Sequence, residues 1–246
     1  MTALLDMHEA PVVGRSRARE AGTVLAVIAL LAGLNALAHF SPLSVWFFTV
    51  PAGVAVILAI GRARGLTWAE IGLSPRYVKK GLAYGGIAAG VVAAGVIAGV
   101  LLPFTRDFFL DEGYASARKA LLAAFVLIPI QTVLPEELAF RGILHSSLRR
   151  LGGMKTVFVA GSLLFGLWHV ASSLSLTAGN EGLTAALGSG TGAQWAGIGL
   201  AVLATSLAGV AFTWLRHRSN SIIAPIGLHW AFNAFGALAA AAVFRM

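Results

Sequence analysis

Seven apolar stretches of spanning length, at roughly 21–40, 44–60, 82–103, 120–140, 156–176, 196–215 and 221–243, leave this chain of 246 residues little room to fold in water. An uncharged run of about twenty residues crosses a bilayer as a helix, because a helix satisfies its own backbone polar groups where no water can. Composition agrees: only 11% of the residues are charged, against about 25% in a soluble domain. The expected fold is all-α, a polytopic membrane helix bundle of about seven transmembrane helices. Residues 1–20 read as a polar cytoplasmic tail and 21–246 as an integral membrane domain, with its chemistry in roughly 120–240. The first apolar run is too long for the core of a cleaved signal peptide and reads as a retained span.

Basic residues divide unequally between the loops. Arg15, Arg17 and Arg19 precede the first span, and Arg62, Arg64, Arg76, Lys79 and Lys80 follow the second. Arg141, Arg149, Arg150 and Lys155 gather at the end of the fourth, and Arg216 and Arg218 follow the sixth. The other side receives Arg106, Arg118, Lys119 and Arg245. By the positive-inside rule the amino terminus is cytoplasmic and the carboxyl terminus lies outside. The net charge of +8 is then a topology signal and an attraction to the lipid bilayer. No nucleic acid partner is expected, since that needs a basic cluster on a soluble element. The absence of cysteine excludes disulfides, thiolate metal sites and a cysteine nucleophile. An excess of arginine over lysine, with abundant alanine and glycine, fits a GC-rich bacterial genome and so a bacterial cell membrane.

Three polar clusters interrupt the apolar spans, where ionisable groups are costly and face a bundle interior or a wet cavity. In "VLPEELAFRG", Glu136 and Glu137 precede Arg141; in "FGLWHV", Phe165 lies four residues before His169; in "GLHWAFNAFG", His229 lies four before Asn233. Glu137 and Arg141 stand i,i+4 with the acid on the amino-terminal side, the favourable order for an ion pair. Glu136 stands five residues from the arginine, about 140° around the helix. The pair therefore reads as structural, and Glu136 as a carboxylate left available as a general base. Pro135 removes the donor for the Gln131 carbonyl and Pro225 the donor for that of Ser221, so both are expected to kink their helices beside the polar clusters. Phe165 reads as packing, and His145, one turn beyond Arg141, as a residue of the cytoplasmic interface. His8, His39 and His217 receive no role. The segment at 177–195 reads as a flexible connector. "GGIAAGVVAAGVIAG", Gly85 to Gly99, is a small-residue face able to pack helices within or between chains, so the oligomeric state stays open.

In their order and spacing, "EELAFRG", "FGLWH" and "HWAFN" resemble the EExxxR, FxxxH and HxxxN signatures of the CPBP family of intramembrane proteases. That family includes the type II CAAX prenyl endopeptidases and bacterial bacteriocin-processing and immunity homologues. The resemblance covers roughly 120–240. It implies a glutamate-dependent intramembrane endopeptidase acting on membrane-anchored peptides or proteins. Glu136 and His169 would activate water, His229 and Asn233 would stabilise the oxyanion, and Glu137, Arg141 and Phe165 would support the site. No cofactor is favoured: HExxH is absent. Glu136, His169 and His229 are still a sufficient ligand set for zinc, and a metal there would take Glu136 away from service as a base. Two other readings compete. One is a non-enzymatic membrane scaffold or bacteriocin-immunity factor binding a peptide in the same cavity. The other is a proton-coupled transporter, which inverted repeats would favour and which this sequence does not display.

Overall fold

A computed structural model describes residues 17–174 and 181–246. Most of the predicted tail, including His8 and Arg15, lies outside the described residues, as do 177–180 of the predicted connector. Among the described residues there is no strand. Helix α1 spans Arg17–Phe40, α2 Leu43–Ala63, a short α3 Trp68–Ile71 and α4 Val78–Leu101. Then come α5, Ala117–Trp168, a short α6, Glu181–Leu187, and finally α7, Thr191–Ser219, and α8, Ile223–Val243. Five helical segments are long and apolar enough to cross a membrane, and Phe48–Ala63 within α2 adds a shorter one. The protein is an all-α, integral membrane helix bundle.

Helix α5 runs for 52 residues, about 78 Å at 1.5 Å per residue, more than twice the roughly 30 Å of a hydrocarbon core. It turns back at Gly152–Gly153, where Gly153 takes φ 74°, a conformation that favours glycine. The limbs 117–151 and 154–168 are thus separate crossings, and with α2 they account for the seven apolar segments of the hydropathy pattern. The fifth segment stops at Trp168, short of the expected 176. There the His169 N–H donates to Gly166 O (3.0 Å) and the chain tightens into a 3-10 turn at Ala171–Ser173. The connector is also less loose than its composition suggests: α6 occupies 181–187 and packs against the turn at Asp107–Phe109.

The two prolines act differently from expectation. Around Pro135 the first limb of α5 widens instead of breaking, with π-helical winding over Ala123–Val133 and Leu138–Leu144 and a Leu134 N–H to Pro129 O bond. A wider turn absorbs a missing donor, and such turns gather at functional sites. Pro225 kinks nothing, because α8 begins at Ile223 and places it in the first turn, where proline is tolerated. The Ser221 carbonyl accepts instead from the Ser219 hydroxyl at 3.0 Å.

The interior is built from Val27, Ile57, Ile143, Leu144, Phe165 and Phe212, while Leu25, Ile87, Val91, Leu163, Leu203 and Leu207 face outward. In water such a surface would aggregate; in lipid it is solvated. Only part of the small-residue face is used within the chain. Gly85 meets α8 backbone against backbone, and a Cβ on Gly227 would stand 2.8 Å from Gly85 Cα, whereas one on Gly90 meets nothing within 4 Å. Gly227→Val is therefore expected to destabilise the bundle by roughly 1–3 kcal/mol, with Gly90→Val close to wild type. Thermal unfolding of both variants in detergent checks the difference.

Candidate active site

The charges inside the membrane form one buried group. Glu137 is fully buried, and its Oε1 takes both Arg141 Nη1, an ion pair at 3.3 Å, and His229 Nδ1, a hydrogen bond at 2.8 Å. Arg141 completes its surroundings with rings instead of donors' partners: its guanidinium lies 3.9 Å from the Phe165 ring centre and 4.7 Å from that of Phe212. A planar, weakly hydrated cation is suited to such faces. Phe212 also stacks on His229, with centroids 5.0 Å apart and an interplanar angle of 21°. A carboxylate only accepts, so the His229 Nδ1 carries the proton it shares with Glu137. Glu137 therefore joins the first limb of α5 to α8 and fixes the imidazole's orientation.

Glu136 faces another way. Its Oε1 accepts from the Trp168 indole at 3.0 Å, and its Oε2 has no hydrogen-bond partner among the described residues. His229 Nε2 stands 3.9 Å from that oxygen. Trp168 is held in turn by Asn35 of α1, whose amide donates to its carbonyl at 2.6 Å. His169 follows at the end of the second limb of α5, with Nδ1 2.8 Å from Phe165 O. Since a carbonyl only accepts, Nδ1 holds a proton, and in the neutral ring Nε2 is the nitrogen with the lone pair. Hydroxyls of Ser172 and Ser173 donate to the His169 carbonyl, which locks the turn that presents the ring.

A cavity of about 630 Å³ brings Glu136, His169 and Asn233 together, with Gln131, Thr132 and Trp168 also on its wall. His229 does not line it and stands one layer behind, between the two glutamates. At the mouth, burial and then the nearby Asp111 carboxylate push the Tyr114 phenol above its ordinary range, so it remains a donor at neutral pH.

Two placements correct the sequence reading. His145 is buried, not at an interface, and Arg141 belongs to the interior instead of the basic end of its span. His39, given no role, lines the cavity mouth. Trp168 and Phe212 were missed altogether. The tryptophan sits inside the "FGLWH" motif, and an indole N–H one residue before a histidine was the available signal; Phe212 carried none. As for zinc, no group of three or more His, Asp or Glu side chains among the described residues is arranged to hold a metal ion. His229 commits Nδ1 to Glu137, which leaves Nε2 as its free nitrogen, 3.9 Å from Glu136 Oε2.

Residues 118–235 match the Rce1-like family, type II CAAX prenyl endopeptidase Rce1-like, and this stretch carries all three motifs. The match is consistent with membership of the CPBP intramembrane proteases and supports a proteolytic enzyme. No curated protein and no solved structure matches the chain.

Proposed function

From the Rce1-like segment 118–235, we propose that this chain is a glutamate-dependent intramembrane endopeptidase of membrane-anchored peptides or proteins. The convergence of Glu136, His169 and Asn233 from three crossing segments on one cavity carries the reading. Water held between Glu136 Oε2 and His169 Nε2 gives up a proton as its oxygen attacks the scissile carbonyl. The resulting oxyanion accepts from the Asn233 amide, which lines the cavity, and a protonated His229 beside Glu136 stabilises it by its charge. The proton then passes to the departing amine as the C–N bond breaks, leaving a carboxylate and a free amino terminus. An apolar groove of about 910 Å³ adjoins the cavity through Phe109 and Phe232 and offers the anchored segment a lipid-facing seat. The catalytic core falls within 120–240 of the membrane domain 21–246. Unequal basic loops support a cytoplasmic amino terminus, in a bacterial cell membrane.

The test compares peptide termini in membranes of cells with and without the chain. Termini that arise only with the wild type, and again with the purified protein, support the reading and name the substrate. Their absence, together with peptide binding that survives loss of Glu136, favours the scaffold or immunity reading instead. A finer prediction concerns the missed residue. Trp168→Phe keeps an aromatic body but removes the donor to Glu136, a hydrogen bond to a charged group worth about 1.5–3 kcal/mol. We expect the rate to fall roughly tenfold or more on the same substrate, with a drop of several degrees in unfolding temperature.

A further inference from the structure

The two ends of the bundle are unlike. At one end the segment between α2 and α4 folds over the helices as a cap. The Ile222 N–H donates to Gly72 O (3.1 Å), and Arg216 reaches across to the Glu70 carbonyl (2.6 Å) and the Arg141 carbonyl (3.3 Å). The Ser146 hydroxyl donates to the same Glu70 carbonyl at 2.8 Å, and Arg150 holds the Glu70 carboxylate at 2.5 Å. Around this cap stand Arg62, Arg64, Arg76, Lys79, Arg149 and Arg218, opposed only locally by acids such as Glu70.

The catalytic cavity is lined at the other end. Its loop residues are His39 where α1 finishes, Asp111 and Tyr114 between α4 and α5, and Ser172 after α5. Charge there is mixed: Arg106, Arg118 and Lys119 flank Asp107, Asp111 and Glu112. Positive residues are retained on the cytoplasmic side of short loops, and acids count for little in that rule.

We infer that the cavity opens at the non-cytoplasmic face of the membrane, so that its substrates are peptides or protein segments exposed outside the cytoplasm. The chemistry performed there rests on the proteolytic reading; the face does not. A peptide presented from the cytoplasm meets the cap formed by 64–77 and the Glu70–Arg150–Arg216 contacts. One presented from outside meets Asp111, Tyr114 and Ser172 and, beyond them, Glu136.

The chain's lack of cysteine makes the test direct. Glu112→Cys at the mouth end, Ser172→Cys on the cavity wall and Lys79→Cys at the capped end each introduce a single thiol at an exposed position. A membrane-impermeant maleimide is applied to right-side-out spheroplasts before and after permeabilisation. Glu112→Cys and Ser172→Cys are expected to label at once, and Lys79→Cys only after permeabilisation. The reverse pattern overturns the inference, whatever the activity. Termini produced by the wild type that map to cytoplasmic segments also overturn it, while leaving proteolysis intact. Outward labelling with no wild-type-dependent termini on either side of the membrane overturns the proteolytic reading and leaves the orientation of the cavity standing.

Discussion

Glu136→Gln is expected to lower proteolytic turnover by about 10³-fold or more, within the range assigned to loss of a general base, and to leave the fold intact. The amide keeps the shape of the carboxylate and can still accept the Trp168 N–H on its oxygen, so the wall of the cavity is preserved. It cannot take a proton from water. Stability should change little, because Oε2 has no hydrogen-bond partner among the described residues and the His229 ring keeps its bond to Glu137. Glu136→Gln and wild type are to be compared by rate on one defined substrate and by unfolding temperature in the same detergent. Turnover within a few-fold of wild type would exclude Glu136 as the base.

The division between the two adjacent glutamates was legible because helical geometry is local: four residues bring Glu137 to Arg141, and five carry Glu136 away. The crossing segments were legible for a similar reason, since the bilayer demands length and apolarity along the chain itself. What tertiary packing decides was not. Phe212 reaches Arg141 and His229 only because α7 crosses α5 and α8 at that level, and no spacing in the sequence records that crossing. Pro225 read as a kink because the apolar run begins before it; the helix begins only at Ile223, after Ser219 and Ser221 have arranged the turn. His145 read as interfacial from its distance along the helix, yet the cap over the basic end buries it. The cap itself was hidden because a charged, glycine-containing loop looks solvated until Arg150 and Arg216 are seen to fasten it.

Substitutions at the Glu137–Arg141 pair should behave in the opposite way to Glu136→Gln, losing stability and activity together. Arg141→Met strands Glu137, fully buried, with no cation, and breaking a buried pair by removing one partner costs about 3–5 kcal/mol. For a chain of this size that corresponds to a fall of roughly 10 °C in unfolding temperature. The His229 hydrogen bond at 2.8 Å survives the change, but the ring stack on Phe212 loses the guanidinium that lies against the same face-forming cluster. Arg141→Lys should rescue poorly, since a compact ammonium cannot lie flat between Phe165 and Phe212. The decisive variant is the double Glu137→Gln, Arg141→Met. If the pair serves each other, the double variant is more stable than Arg141→Met alone, because the stranded charge is gone. Activity should nonetheless stay low in the double variant, since a glutamine can offer His229 its amide as well as its oxygen and no longer fixes which ring nitrogen carries the proton. Stability recovering while activity does not would separate the two duties of Glu137. Additive losses in stability would mean that Arg141 is held by the aromatic faces alone, and that the i,i+4 spacing is incidental.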